Sequence, residues 1–225
     1  MGTGEKIKKV TDTIASVEGG VFGVFISKLG SVAAERIEKH HRKKIEERLN
    51  QFLETMALFL GYNNDAVKAE LEEAMDNPEL VSLFVSSFRE MIDEIDEGVV
   101  PVMMALCADY LGRKQVRDSL FRDCAGMLRQ CTLKDVREMK KILEFKANAD
   151  NTISSEDRGR VAKECKLTDD SLERILGLLK QFNFGKNIQT EGRRMPRTGG
   201  SIDWGIILNA NNTNKLTKYL SVLPQ

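Results

Sequence analysis

Apolar side chains recur every three or four residues along one long stretch, from residue 21 to residue 60. This spacing predicts one continuous face of a helix. An unbroken helix of that size would be about 60 Å long, so we expect it either to break near Gly30 or to project toward a partner. Because one small domain could not cover the whole stripe, we predict that residues 21–60 mediate self-association. The stripe consists of Phe22, Ile26, Leu29, Ala33, Ile37, His41, Ile45, Leu49, Phe52, Met56 and Leu60.

The segment from residue 61 to residue 131 predicts several short helices instead of another long one. Gly61, Gly98 and the pair Asn77-Pro78 mark turns or helix starts, and Pro101 opens a further helix. Hydrophobic residues make up 41% of the 225 residues, which is enough for a sizeable core. We therefore predict an all-helical domain over residues 1–131, used for oligomerisation or interaction.

Charge is balanced over the whole chain but not along it. Lys and Arg together number 34, as do Asp and Glu. Residues 61–131 carry 7 basic and 14 acidic residues, whereas residues 132–225 carry 17 basic and 12 acidic residues. The acidic middle and the basic end either neutralise each other in the fold or leave the basic end free to meet a polyanion.

The same composition argues against a membrane-spanning, secreted or catalytic protein. Charged residues make up 30%, no apolar run is long enough to cross a bilayer, and no secretory signal is recognisable. The four cysteines form no CxxC pair, which is typical of a reduced, cytoplasmic protein. His40 and His41 lie among cations, which opposes a metal site, and no P-loop, HExxH or GxSxG motif occurs. We expect no enzyme activity, no metal and no cofactor. Of the possible partners, a membrane surface contacted through the lysine-rich start is the one we favour least.

Capping residues predict two helices directly after residue 131. Thr132 with Asp135 is typical of a capping box, and the helix that it opens runs to about Ala147. A polar loop follows this helix. Ser154 then caps a second helix over residues 155–165.

A third helix and a hairpin complete this pattern. Thr168 caps the helix, and Asn183 is placed to end it in a left-handed conformation. Short strands are predicted at 188–191 and 202–208, with the basic tip 192–200 between them. A last amphipathic helix follows the second strand.

Residues 161–184 resemble a winged helix-turn-helix. In that superfamily, an alanine lies on the inner face of one helix, an apolar residue occupies the turn, and a recognition helix leads into a two-stranded wing. The matching residues here are Ala162, Leu167, Ile175, Leu179, Asn183 and Phe184. The preceding helix and the following hairpin occur in the same order, so the resemblance covers about 132–225. It implies a mainly α fold, in which a C-terminal winged-helix domain with a two-stranded wing follows the helical domain.

This resemblance implies DNA binding. The charges on the recognition helix, however, do not favour contact with DNA. The first turns of such a helix enter the major groove, but here they carry Asp169, Asp170 and Glu173, which phosphates repel. Arg174 and Lys180 are the basic residues that this helix could offer. The hairpin tip is better suited, because three cations cluster there and could contact phosphates. These cations are Arg193, Arg194 and Arg197.

Two functions therefore stay open. The first is a nucleic-acid-binding regulator of bacterial or phage type, which contacts DNA mainly through the basic wing. The alternative is a non-catalytic interaction or assembly subunit whose winged helix binds protein. The chain as a whole is also faintly similar to the abortive-infection Alpha-type proteins of bacteria, which implies a phage-defence setting. That similarity rests on the order of a lysine-rich start, a long Ala/Glu/Lys helix, short acidic helices and a winged-helix-like end.

Overall fold

The fold is mainly helical, as predicted. The computed structural model describes residues 39–61, 63–93, 95–114, 118–147, 151–154, 157–189 and 204–223. These residues form nine helices and three short strands.

The described residues divide into two compact units. The first unit comprises residues 39–95 and 100–118, and the second comprises residues 96–99 and 119–223. The chain passes into the second unit after residue 118, whereas the sequence suggests a boundary after residue 131. Each unit has its own set of packed elements.

Four helices build the first unit, and the fourth is its centre. These are α1 (Lys39–Leu60), α2 (Asn64–Met75), α3 (Pro78–Asp93) and α4 (Val100–Gly112). Every side chain from residue 102 to residue 111 of α4 is buried, and α1, α2 and α3 all pack against this helix. A helix that is apolar on all sides is stable only when other elements surround it. α4 therefore forms the core of the unit.

The described part of the apolar stripe packs inside this unit. Leu49, Phe52 and Met56 are buried on α1, the helix that packs most extensively against α4. The Thr55 hydroxyl donates to the sulfur of Met104 at 3.8 Å. Leu58 points away from this contact and is 82% exposed. Residues 21–38 of the stripe lie outside the described residues, and self-association through residues 21–60 stays a prediction.

The second unit combines five helices with a small sheet. The helices are α5 (Ser119–Leu128), α6 (Leu133–Ala147), α7 (Arg158–Cys165), α8 (Asp169–Gln181) and α9 (Ala210–Leu220). The strands are β1 (Thr152–Ile153), β2 (Gly185–Gln189) and β3 (Trp204–Leu208). They form an antiparallel sheet in the order β1-β3-β2, in which Ile153 lies opposite Ile206 and Lys186 lies opposite Ile207.

Three sequence-based predictions in this unit were wrong: one strand was missed, and the starts of a second strand and of a helix were misplaced. The sequence predicted a polar loop where β1 forms, because two residues are too few to show a strand periodicity. The first hairpin strand begins at Gly185 and not at residue 188, because Asn183 adopts a left-handed φ of 62° and turns the chain at once. The helix predicted over 155–165 begins at Arg158. The capping pair Ser154 and Asp157 lies before it, with the Ser154 hydroxyl donating to the Asp157 carboxylate at 2.8 Å.

α5 belongs to the second unit through close contact with the end of α8. A methyl group at Gly126 of α5 would lie 2.8 Å from the Cε1 atom of Phe182, so the ring occupies the space that a side chain would need. The side-chain amide of Asn183 also donates to the Asp123 carboxylate at 3.1 Å. The absence of a side chain at Gly126 is therefore what allows this approach.

We expect Gly126→Ala to lower the free energy of unfolding by about 1–3 kcal/mol, because the Phe182 ring must move. Gly177→Ala is the matched control, since it lies on α8 with no heavy atom within 4 Å of the added carbon. That change should raise the free energy of unfolding by about 0.5–1 kcal/mol through helix propensity. Urea denaturation followed by circular dichroism measures both. Equal stabilisation by the two alanines would contradict the contact.

The cysteines of the chain occupy core positions. All four are buried, and none of them forms a disulfide. Burial in the second unit, together with the nearby Asp135 carboxylate, raises the pKa of Cys131 to about 12. A thiol of this kind stays protonated at neutral pH. Across the described helices, no segment combines the length and the apolar character needed to span a bilayer.

Candidate nucleic-acid interface

α8 is the helix that the sequence identifies as a recognition helix. Its inner side chains Leu172, Ile175, Leu176 and Leu179 are buried in the second unit. The hydroxyl of Thr168 caps it by accepting from the Ser171 amide at 3.2 Å, which confirms the predicted N-cap. The helix is therefore held by its apolar face, and its opposite face is open to solvent.

The outer face of α8 is acidic. Asp169 and Asp170 are exposed in the first turn, where the helix dipole favours carboxylates. Glu173, one turn later, is also exposed and forms an ion pair with Arg158 of α7. A duplex approaching this face would meet carboxylates first, so the described geometry opposes base reading by α8.

Arg174 makes its contacts within the second unit. Its Nε atom donates to Oδ1 of Asp135 at 2.8 Å, and its Nη2 atom donates to Oδ2 of the same carboxylate at 3.1 Å. Nη2 also donates to the Gln130 carbonyl at 3.2 Å. The Asp135 side chain is 6% exposed and that of Arg174 is 54% exposed. This bidentate pair connects α8 to the start of α6.

The Asp135 carboxylate has a second role in the predicted capping box. It accepts from the Thr132 amide at 2.8 Å and from the Thr132 hydroxyl at 2.9 Å, which confirms the box. Burial raises the pKa of Asp135, but the hydrogen bonds from Arg174 and Thr132 outweigh burial and hold this pKa below its ordinary value. The hydrogen bond to Asp135 in turn raises the pKa of Arg174. The pair is therefore charged at neutral pH.

Lys180 lies at the other end of α8. It is half-buried in the last turn, where a cation complements the helix dipole. The helix ends at Gln181, one residue beyond it, and the Phe184 amide donates to the Leu179 carbonyl at 2.8 Å. The geometry thus separates Lys180 from Arg174, which lies nearly two turns earlier.

β2 and β3 are the strands that flank the predicted basic tip. They pair along their full length, from Gly185 opposite Leu208 to Gln189 opposite Trp204. The connection between the last pair is residues 190–203. Arg193, Arg194 and Arg197 belong to this connection and lie outside the described residues, so the structure places its two ends only.

A surface cavity of about 440 Å³ lies between the ends of α6 and α7. It is lined by Lys141, Glu144, Phe145, Glu164, Cys165 and Lys166. Two cations and two carboxylates give it no preference for one sign of charge. His40 and His41 lie at the start of α1, and within the described residues no three His, Cys, Asp or Glu side chains are grouped to hold a metal ion.

The residue that sequence reasoning missed is the partner of Arg174. Asp135 was predicted to cap α6, but nothing in the sequence indicated that it would also bind a guanidinium 39 positions away. Such a pair depends on the packing of α8 against α6, and no local spacing shows it.

No family model, curated protein or solved structure matches this chain, so its function has to be inferred from its geometry.

Proposed function

We propose that residues 132–225 form a winged-helix domain. The order of elements supports this proposal: α6, β1, α7, α8, β2 and β3 follow one another as helix, strand, two helices and a hairpin. β1 joins the hairpin by pairing with β3. The left-handed Lys166, with a φ of 56°, ends α7 and allows α8 to begin three residues later at a new angle. Two helices joined by such a short turn are typical of a helix-turn-helix.

The domain binds nucleic acid through its hairpin in this proposal. The observation that carries it is the pairing of β2 with β3 up to Gln189 and Trp204, which attaches the arginine-bearing connection directly to the sheet. α8 contributes little, because its exposed side chains are acidic and its Arg174 is held by Asp135. Contacts of three arginines with phosphates would be independent of sequence and sensitive to salt.

The test is duplex DNA binding by the full chain across a salt series. We expect the three hairpin arginines to contribute about −3 to the slope of log affinity against log salt, since they neutralise three phosphates. Replacing Arg193, Arg194 and Arg197 together by alanine should remove most of the affinity and flatten this slope. Asp169→Asn with Asp170→Asn is the control, and it should leave binding unchanged or strengthen it. If the triple variant binds as tightly as the parent, the hairpin is not the contact.

Protein binding is the second candidate, and the acidic outer face of α8 favours it. Asp169, Asp170 and Glu173 present carboxylates to solvent on a capped, rigid helix. Such a surface suits a basic protein partner better than a phosphate backbone. If the full chain binds no duplex at low salt, this candidate replaces the first. The chain would then act as a non-catalytic assembly subunit.

A further inference from the structure

The second unit has a basic surface on the side of α6 that faces away from α8. α6 buries Val136, Met139 and Leu143, and α8 packs on that buried side. Arg137 and Lys141 lie one turn apart on the opposite side of α6, and both are exposed. Within the described part of the chain, neither cation forms an ion pair. Two free charges thus stand next to each other on one helix face.

The neighbouring helices extend this surface on both sides. Toward α9, the Lys140 ammonium donates to the Leu223 carbonyl at 3.4 Å, which places the residues that follow α9 beside α6. Toward α7, Lys141 and Lys166 line the same cavity. The basic α6 surface therefore comprises Arg137, Lys140, Lys141 and Lys166.

The cavity between α6 and α7 is balanced in charge, and the excess of cations on this surface comes from Arg137 and Lys140. Glu144 and Glu164 are the acidic side chains beside the cavity, and Glu138 pairs with Lys134 at 3.8 Å. α9, which packs against α6, contains no acidic residue in the sequence ANNTNKLTKYL. The charge of the unit is thus divided between a basic α6 surface and an acidic α8 face.

We propose that the basic α6 surface binds the phosphate backbone of a nucleic acid. This inference rests on the nucleic-acid function proposed above but not on the hairpin. Lysine, arginine and asparagine donors are the groups that contact phosphate oxygens, and exposed cations on a curved helical surface release counterions when they do so. An anionic membrane is the poorer match. Membrane-surface helices need apolar anchors, and the exposed large apolar side chains of the described residues, Leu58 and Ile207, lie elsewhere.

The test compares two charge-reversal variants of the full chain in duplex binding between about 50 and 200 mM salt. Arg137→Glu with Lys141→Glu should weaken binding by at least about tenfold and reduce the salt slope by about 2. Arg122→Glu with Arg129→Glu is the matched control, because both residues are exposed in or directly after α5, outside the α6 surface and the hairpin, and the change in net charge is the same. That control should bind within about twofold of the parent. Arg137→Gln with Lys141→Gln repeats the test with less perturbation.

The outcomes separate this inference from the proposed function. If the α6 variants bind like the parent while the hairpin triple alanine loses binding, the α6 surface is wrong and the nucleic-acid function stands. If the α6 variants lose binding and the hairpin variant does not, the inference stands and the hairpin assignment fails. Absence of duplex binding by the parent at low salt overturns both. Binding of phosphatidylserine vesicles without duplex binding would assign the surface to a membrane instead.

Discussion

Replacing Phe52 by alanine is expected to lower the free energy of unfolding of the first unit by about 3–5 kcal/mol. The Phe52 side chain has no exposed area, and it lies on α1, the helix that packs against the fully buried α4. Truncation removes its buried surface and leaves a cavity that the surrounding helices cannot fill. Urea denaturation followed by circular dichroism should show the transition at a clearly lower midpoint.

Leu58→Ala on the same helix is the matched control. Leu58 is 82% exposed, so its truncation should change the free energy of unfolding by no more than about 0.5 kcal/mol. The two changes remove apolar carbon from positions six residues apart in one helix, and only burial distinguishes them. Comparable destabilisation by both would mean that α1 does not pack on α4 through Phe52.

The second large effect is expected at Asp135. Asp135→Ala removes the cap of α6 and the bidentate partner of Arg174 together, and we expect it to destabilise the second unit by about 2–3 kcal/mol. Arg174→Ala should destabilise the second unit less than Asp135→Ala, because Asp135 keeps its hydrogen bonds to Thr132. Lys180→Ala on α8 is the control, and it should change stability by less than about 0.5 kcal/mol. A loss of stability in Lys180→Ala as large as that in Asp135→Ala would contradict the role of Asp135 in holding α6 and α8 together.

The dependence of stability on acid pH should also show the contribution of the Asp135–Arg174 pair. The pKa of Asp135 in the folded protein is lowered relative to its value of about 3.9 in an unfolded chain. Its contribution is therefore complete above that value and is lost as the pH falls through the folded pKa. Stability measured between neutral pH and about pH 3 should fall less steeply in Asp135→Asn than in the parent. An unchanged pH dependence would show that other carboxylates govern acid unfolding.

The sequence was most informative where capping residues and apolar spacing act locally. Thr132, Thr168 and Asn183 were each assigned the helix end that they occupy, because a cap needs only its own side chain and the next few amides. A period of 3.6 residues likewise marks the buried face of α8.

The remaining features depend on contacts between distant residues. Neither residue of β1 indicates a strand until Ile206 and Ile207 lie beside it. Arg174 was a candidate for DNA contact because nothing nearby in sequence shows that Asp135 would bind it. The basic α6 surface was not foreseen, because its cations come from α6 and from the end of α7, which are separated in the chain.

The position of β3 has a consequence for the way this protein is made. β3 lies between β1 and β2 in the sheet, but it follows both of them in the chain. A ribosome therefore releases residues 152–153 and 185–189 before the strand that pairs with either of them has been synthesised. During that interval α5, α6, α7 and α8 can form, but both edge strands expose unpaired backbone. Closure of the sheet waits for residues 204–208, and this is the period in which the nascent chain is most open to aggregation or to capture by a chaperone.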